Sequence, residues 1–385
     1  MSNLFTNFWN RFFPPAQILT PGTYSYQSPA DVKPPLRMHL RIEPDGNGVL
    51  IINASTVLHL NQTAVEFAYH RIQGTPETEI VRLVTDRYRV TPEEVKKDLQ
   101  NFTERVRALT DTPDLDPITF LGMEQKELYS GAISAPYRLD CALTYHVEDG
   151  AMKGVTPTER VKRELLTDEW GTILKKAWEA GIPHVVFTGG EPTLRPDLPE
   201  IIQSAEYLGQ VTGLITSGLQ LSETGYLHKL LASGLDHVMI VLDPEDEQAW
   251  EALRDTLIED IFVTVHLTIT QKNAGEAVEL VKKIQRLGVA SISLSAESEE
   301  LAAQLKVARQ TAAELNMELV WDLPVPYSAQ HPVAMEQKNH EEAPQGAGKA
   351  WLYVEPDGDV LPTQGELRVL GNLLTDDWTT IWKNR

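Results

Sequence analysis

Between residues 136 and 330 the chain alternates short apolar segments with longer amphipathic ones. The apolar segments are rich in β-branched and aromatic residues, a pattern typical of buried strands. Seven of them are RLDCALTYH, HVVFTGG, VTGLITSG, DHVMIVLD, FVTVHLTIT, ASISLSA and MELVWDLP. Intervening segments such as ELLTDEWGTILKKAWEAG and GEAVELVKKIQRLG have apolar residues at helical spacing. The alternation predicts parallel strands joined by right-handed crossovers, as in an open or closed α/β barrel.

The pattern differs between residues 36 and 110. LRMHLRIEPDGNGVLIIN predicts two short strands joined by an Asp-Gly-Asn-Gly turn, and a further strand follows. TAVEFAYHRIQG then predicts a helix that ends at a glycine. Two further segments each begin with Thr-Pro and carry glutamate in the first turn, where the helix dipole favours it. This part of the chain is therefore predicted to be a small α+β unit.

Proline-rich or irregular segments separate these regions. Residues 14–35 contain six prolines and are predicted to be an extended connector without a regular element. Residues 111–135 are predicted to be a second linker, and residues 331–385 a C-terminal extension. Residues 1–13 place large apolar side chains at helical spacing. With only Arg11 to meet anionic lipid, we expect this stretch to dock on the protein itself and not on a membrane.

Charge and cysteine content narrow the classes of function. The formal net charge of -21 over 385 residues argues against nucleic acid or an anionic membrane as the main partner, and favours a neutral or basic peptide. Cys141 is the one cysteine, so no site built from several thiolates can form within this chain. Neither a signal peptide nor a long apolar run is present, and we expect a cytoplasmic protein.

Two strand ends carry the candidate chemistry. In a parallel barrel, ligands bind where the carboxyl ends of the strands open. The second strand ends there in TGGEP, where two glycines would let backbone approach a ligand and Glu191 would accept from an ammonium group. The third strand ends in ITSG, which adds small hydroxyl groups. The candidate cofactor-binding residues are Gly189, Gly190, Glu191, Pro192, Thr216, Ser217 and Gly218.

FTGGEPTLRPDL and ITSG resemble the S-adenosylmethionine (SAM) binding segments of the radical SAM family, with Ser217 where the family has asparagine. That family continues its first strand as LTYxC-x3-C-x2-C, whose three thiolates hold a [4Fe-4S] cluster. Here LTY is kept, while Val147, Ala151 and Gly154 stand at the three cysteine positions. Cys141 lies inside the strand on the side of Leu139 and Leu143, so we interpret it as a buried hydrophobic residue.

Two flanking regions carry further resemblances. Residues 36–110 resemble the PqqD-like winged helix, which implies recognition of a precursor or leader peptide by strand addition. A winged helix that packs only within this protein, or one that binds DNA, is the alternative. Residues 346–382 resemble the SPASM extension, which carries auxiliary clusters, but Gln345 and Thr363 stand where that extension has cysteines. The expected fold is α/β: a partial TIM-like (β/α)6 barrel between an α+β winged helix and a degenerate SPASM-like extension.

These resemblances lead to three hypotheses. In the first, the chain is a cluster-free pseudoenzyme that binds a precursor peptide, and its barrel keeps either a SAM pocket or only the fold of one. In the second, it is an enzyme that uses SAM for polar methyl transfer, or a single metal ion, without an iron-sulfur cluster. In the third, it delivers peptide to a catalytic paralogue, a role that overlaps with the first hypothesis.

The single-metal alternative depends on polar residues of separate strands. By strand alternation, Asp243 and His266 are expected to face the barrel mouth together with His146, and Asp322 is a further candidate. Histidine and carboxylate ligands would suit zinc or iron. Ser291, Ser293 and Ser295 share one face of their strand and are expected to line a polar interior.

Overall fold

In this computed structural model the chain divides into two compact units, Met1–Ser134 and Ala135–Arg385. The structure describes residues 19–29, 32, 36–53, 56–88, 90–111, 133–148, 150, 152–223, 225–321, 323–333 and 345–385. The apolar N-terminal stretch, Asp322, Ala151 and most of the predicted linker at residues 111–135 lie outside these ranges.

The first unit contains a four-stranded antiparallel sheet in the order β1-β2-β3-β4. Its strands are β1 (Gly22–Gln27), β2 (Arg37–Ile42), β3 (Gly48–Ile52) and β4 (Thr56–Leu60). The predicted turn between β2 and β3 is present, with Gly46 at φ 85°. The prediction that residues 14–35 contain no regular element is wrong, because Gly22–Gln27 pairs along its whole length with β2. This short strand carries no proline, which left it free to pair.

Three helices follow this sheet: α1 (Gln62–Ile72), α2 (Glu77–Tyr88) and α3 (Pro92–Asp111). Asn61 caps α1 by accepting from the Ala64 amide at 2.9 Å. One face of α1 packs its apolar side chains on β2, β3 and β4, and Phe67 packs instead with α2 and α3. The predicted α+β composition of this unit is confirmed.

The second unit is organised around seven parallel strands that pair in sequence order. They are β5 (Arg138–Thr144), β6 (His184–Gly189), β7 (Val211–Thr216), β8 (His237–Val241), β9 (Phe262–Ile269), β10 (Ser291–Ala296) and β11 (Glu318–Val320). All seven predicted strands are therefore present. Within the part of the chain that the structure describes, the sheet is open, because β11 forms one edge and β5 pairs on its far side with a strand of the C-terminal extension.

Helices connect these strands, and their apolar faces cover one side of the sheet. They are α4 (Thr167–Glu179), α5 (Leu198–Leu208), α6 (Tyr226–Ala232), α7 (Glu247–Thr256), α8 (Ala277–Arg286) and α9 (Ala302–Glu314). Trp170 of α4 and Trp250 of α7 are fully buried in the core between helices and sheet. The opposite face of the sheet lines the barrel interior and holds both polar and apolar residues.

The C-terminal extension contains β12 (Trp351–Val354), β13 (Asp359–Leu361), β14 (Gly371–Asn372) and α10 (Trp378–Lys383). β12 pairs in parallel with β5, and β13 and β14 continue the same sheet in antiparallel order. The predicted strand, PDG turn and final helix are present, with Gly358 of the turn at φ 91°. Among the described residues, no helix is both long and apolar enough to span a membrane.

Candidate functional site

The predicted site residues meet around the carboxylate of Glu191, which is 4% exposed. Glu191 Oε1 accepts from the Thr193 amide at 2.9 Å, the Thr193 hydroxyl at 2.5 Å and the Thr216 hydroxyl at 2.7 Å. Its Oε2 accepts from the Ser217 amide at 2.8 Å. Pro192 begins the 3-10 turn that Glu191 caps, and the Gly218 amide donates to Thr216 Oγ1. The carboxylate thus ties the end of β6 to the end of β7.

The two glycines of TGGEP lie against the chain's own backbone. A Cβ on Gly189 would lie 2.1 Å from the Thr144 carbonyl oxygen, and one on Gly190 would lie 2.2 Å from the His146 carbonyl oxygen. The amides of Gly190 and Glu191 donate to these same two oxygens at 2.9 and 2.8 Å. The expected reason for the glycines, close approach to a ligand, therefore needs correction, since they allow close approach to the loop after β5.

Hydrogen bonds of the chain itself hold the start of that loop. Glu164 Oε1 accepts from the Thr144 hydroxyl at 2.7 Å and from the Tyr145 amide at 2.9 Å. The Arg195 guanidinium donates to the carbonyl oxygens of Leu143 and Leu165, both at 3.0 Å, and pairs with Asp197. Each residue of the retained LTY triplet is thus fixed by a polar partner.

The residues present do not fit an iron-sulfur cluster. Val147 is a buried apolar side chain whose Cγ1 would lie 3.1 Å from a Cβ on Gly190, and Gly154 has the left-handed φ of 80°. Cys141 packs in the helix-side core with Leu139 and Leu143, as predicted. Burial raises the pKa of its thiol, and the neighbouring Asp140 carboxylate raises it further. A [4Fe-4S] cluster needs three or four thiolate ligands. This chain offers one protonated thiol, and it lies on the face of β5 that packs against the helices, not on the face that lines the barrel interior.

Glu148, in the loop after β5, is hydrogen-bonded to the ITSG segment. Glu148 Oε1 accepts from the Ser217 hydroxyl at 2.8 Å. Ser217 Oγ in turn accepts from the Leu219 amide at 3.3 Å. Ser217, which stands where the radical SAM family has asparagine, therefore donates a hydrogen bond to the loop that lacks the cysteines.

Below the loop, Tyr145 is buried with its hydroxyl donating to Glu355 Oε1 at 2.9 Å. Arg160 Nε lies 2.6 Å from the same oxygen. Burial raises the pKa of Tyr145 well above its usual range, and the neighbouring Tyr353 and Glu355 raise it further. Burial also raises the pKa of Glu355, against the lowering effect of Arg160. The C-terminal extension thus anchors the loop through a buried polar cluster.

The structure does not bring together the residues of the single-metal alternative. His146 is exposed and lies 3.9 Å from Glu164, while Asp243 is exposed and accepts from the Glu245 amide. His266 is buried between β9 and β10. Within the described residues, no three histidine, cysteine or acidic side chains form a group that could hold a metal ion. The hypothesis of a site built from His146, Asp243 and His266 is therefore wrong.

His266 belongs instead to a polar seam in the barrel interior. Its Nδ1 lies 3.0 Å from Ser293 Oγ, and its Nε2 lies 3.0 Å from Ser295 Oγ and 3.2 Å from Thr268 Oγ1. Thr268 is also hydrogen-bonded to His331 Nε2. The expectation that the serines of β10 line a polar interior is confirmed.

This seam predicts a pH dependence of stability. Burial lowers the pKa of His266 to about 3 and that of His331 to about 4. An unfolded chain with ordinary histidine pKa values therefore takes up these protons first, and stability that is complete above pH 6.5 is lost as the pH falls. Each histidine contributes a slope of up to about 1.4 kcal/mol per pH unit between its two pKa values.

We expect His266→Gln to reduce the loss of unfolding free energy between pH 6.5 and 4.5 by about 2–3 kcal/mol. Urea titrations at a series of pH values measure this difference directly. His228→Gln is the matched control, because the His228 side chain is 72% exposed. Equal pH slopes for wild type and His266→Gln would contradict the assignment of His266 as a buried neutral ring.

Sequence reasoning missed several residues that shape this site. Glu148 and Glu164 stand in polar surroundings that carry no periodic signal. The sequence from residue 328 onward indicates a loop over the barrel or the approach to the C-terminal extension, and the structure shows that residues 323–333 pack into the barrel interior. The proline pair of PVPY, at residues 324–327, was a signal for a rigid extended segment.

Comparisons with known proteins agree with this fold. Residues 141–288 match the protein family described as the Radical SAM superfamily. PqqA peptide cyclase of Streptomyces rochei is 29% identical over 260 residues, which cover 60% of this chain and 70% of that protein. PqqA peptide cyclase of Rhizobium meliloti (strain 1021) is 30% identical over 234 residues, covering 53% of this chain and 60% of that protein.

A solved structure shares most of the fold. Streptococcus suis SuiB has been solved bound to precursor peptide SuiA, with a TM-score of 0.54, 16% identity and coverage of 89% of this chain and 86% of SuiB. SuiB bound to S-adenosylmethionine gives the same TM-score and identity, with 90% and 86% coverage. Residues 141–288 thus match the radical SAM superfamily in sequence, and the chain shares the fold of SuiB.

Proposed function

We propose that this chain captures a precursor peptide through its N-terminal unit and carries a radical-SAM-like barrel without an iron-sulfur cluster. A groove of the first unit, beside an open sheet edge, is the observation that carries the proposal. The cavity has a volume of about 270 Å³ and lies between β4, α1 and α3. Its lining residues are Leu58, Asn61, Thr63, Ala64, Phe67, Asp98, Asn101, Phe102, Arg105 and Val106.

The groove has the features that strand addition requires. β4 pairs with β3 on one side and is the outer strand of the sheet among the described residues. A peptide added along β4 would gain backbone hydrogen bonds from that edge, and its side chains would alternate between solvent and groove. Leu58, Phe67 and Phe102 offer an apolar floor, while Asp98 and Arg105 are exposed at its rim.

The comparisons support a peptide as the partner. Two relatives are named PqqA peptide cyclases, and SuiB has been solved with a precursor peptide. The fold match to SuiB covers 89% of this chain, more than the second unit alone provides, since that unit is about two thirds of the chain. We therefore propose the PqqD-like identity for residues 36–110 and a degenerate SPASM-like identity for the C-terminal extension.

The absence of cluster ligands limits the chemistry. In the radical SAM resemblance, the cluster supplies the electron that cleaves SAM, and one buried thiol cannot hold such a cluster. A chain that holds the peptide without this chemistry would deliver it to a separate catalytic protein, for which a cysteine-bearing paralogue is our proposal. SAM remains the candidate ligand of the barrel mouth at Gly189, Gly190 and Glu191.

Peptide binding by the full chain tests this function. The probes are fluorescein-labelled N-terminal segments of short peptides encoded beside the gene, followed by fluorescence anisotropy. Arg105→Glu reverses a charge at the groove rim and is expected to weaken binding about tenfold, or about 1.4 kcal/mol, for a segment that carries an acidic residue beside Arg105, whatever the net charge of that segment. Arg107→Glu makes the same change on the exposed surface of α3, away from the groove lining, and is expected to leave binding unchanged.

Two outcomes would contradict the proposal. If Arg105→Glu and Arg107→Glu weaken binding equally, the groove is not the binding site. If anaerobic reconstitution of the same preparation yields a stoichiometric, reducible iron-sulfur cluster, the chain is not cluster-free.

A further inference from the structure

Residues 323–333, here called the strap, follow β11 and pass into the barrel interior. Leu323 packs against Val186, Ile215 and Met239, which lie on the interior faces of β6, β7 and β8. Tyr327 and Val333 pack with Ala142 and Tyr145 on the side of β5. The strap therefore contacts interior residues of four neighbouring strands.

The centre of the strap lies on the end of β6. The Tyr327 amide donates to the Gly189 carbonyl oxygen at 2.9 Å. The Tyr327 ring is 3% exposed and meets the Tyr145 ring edge-on, with centroids 5.5 Å apart. Because ligands of parallel barrels bind at the carboxyl ends of the strands, Tyr327 fills space beside the TGGEP segment that a ligand would need.

Further contacts fix the two ends of the strap. His331 is 9% exposed, meets the His266 ring edge-on at 5.7 Å and is hydrogen-bonded to Thr268 near the end of β9. The Val333 amide donates to the Val155 carbonyl oxygen at 3.0 Å, within the loop that lacks the cysteines. Gln364 of the C-terminal extension donates to the Val325 carbonyl oxygen at 2.8 Å.

We propose that the strap is an autoinhibitory element that closes the barrel mouth and competes with a nucleoside ligand such as SAM for the space above Gly189. This inference goes beyond peptide capture, which belongs to the other unit. In this proposal the strap excludes a ligand from the barrel mouth and also contributes to packing. A ligand can enter only when the contacts of Leu323, Tyr327 and His331 are given up.

Calorimetric titration of the full chain with SAM tests the strap. Leu323→Ala/Tyr327→Ala removes two apolar contacts and is expected to bind SAM at least tenfold more tightly than wild type, because less packing is lost on displacement. His331→Ala leaves both of those side chains in place and is expected to give a smaller gain, of about threefold. Gln330→Ala is the matched control, since Gln330 is an exposed residue of the same segment, and its affinity should equal that of wild type.

Hydrogen exchange gives a readout that does not depend on substitution. In wild type, the Tyr327 amide is expected to be protected, and millimolar SAM is expected to speed its exchange. Folded variants that bind SAM no more tightly than wild type would overturn the proposal. If the double variant does not fold, the test rests on the SAM affinity of His331→Ala and on exchange of the Tyr327 amide in wild type. A wild-type SAM affinity for His331→Ala, together with an exchange rate that SAM does not change, would overturn the proposal. The labelled peptide should bind all strap variants equally, so a failure of peptide capture is separable from a failure of this inference.

Discussion

Gly189→Ala is expected to lower the unfolding free energy of the second unit by about 3–5 kcal/mol. The added methyl group would lie 2.1 Å from the Thr144 carbonyl oxygen, and this atom belongs to the backbone of a central strand. Gly189 also has φ 134°, which side chains rarely adopt. Overlap and backbone strain therefore act together at one position. Urea denaturation followed by tryptophan fluorescence measures the change, because seven of the eight tryptophans lie in Ala135–Arg385.

Gly171→Ala is the matched control for this prediction. Gly171 lies inside α4, and a Cβ there would meet no atom within 4 Å. The same substitution is expected to stabilise the unit by up to about 1 kcal/mol, because alanine is the better helix former. Similar stability for Gly189→Ala and wild type would show that the end of β6 can move away from Thr144, and that the close approach is not a requirement of the fold.

The arrangement of strands in this unit could be predicted from the sequence because its central strands are buried on both faces. HVVFTGG and FVTVHLTIT are apolar runs between amphipathic helices, and such runs pair in parallel with their neighbours along the chain. Turn chemistry predicted the connection between β2 and β3 equally well. β1 was missed because the surrounding prolines dominated the composition of residues 14–35, although none lies within Gly22–Gln27.

The candidate site was only partly predictable. Strand ends indicated that Glu191, Thr216 and Ser217 would meet, because β6 and β7 are neighbours. No pattern indicated which partners would satisfy the Glu191 carboxylate, since those partners are backbone amides and hydroxyls placed by tertiary structure. His266 was correctly assigned to the interior by strand alternation, but its distance from His146 and Asp243 depends on the depth of each residue along its own strand.

The strap shows the same limit. Its anchors, Leu323, Tyr327 and His331, are four residues apart, which is the spacing of a helix face, yet the segment is neither strand nor helix, so this spacing does not indicate their common contact with the barrel. A short strand followed by prolines predicts an exit from the sheet. The direction of that exit, back across the interior, depends on which space the sheet leaves open.

Glu191→Ala is expected to destabilise the second unit by about 3–5 kcal/mol, whether or not SAM binds there. The substitution leaves the amides of Thr193 and Ser217 and the hydroxyls of Thr193 and Thr216 without their acceptor. Each unsatisfied buried donor costs about 1–3 kcal/mol, although the hydroxyls can turn to other acceptors. Glu251→Ala, at an exposed position of α7, is the control and is expected to change stability by less than about 0.5 kcal/mol.

Glu191→Gln separates the structural role of this side chain from a role in ligand binding. Its amide oxygen can take the three-donor position of Oε1, but its NH₂ group then faces the Ser217 amide, so we expect a smaller loss of about 2 kcal/mol. Denaturation curves and calorimetry with SAM are to be measured on the same preparations. If the carboxylate is structural, the unfolding free energy should rise in the order Glu191→Ala, Glu191→Gln, wild type at every SAM concentration. If Glu191→Ala keeps wild-type stability and loses only SAM affinity, the carboxylate is free for a ligand, and its four hydrogen bonds do not support the fold.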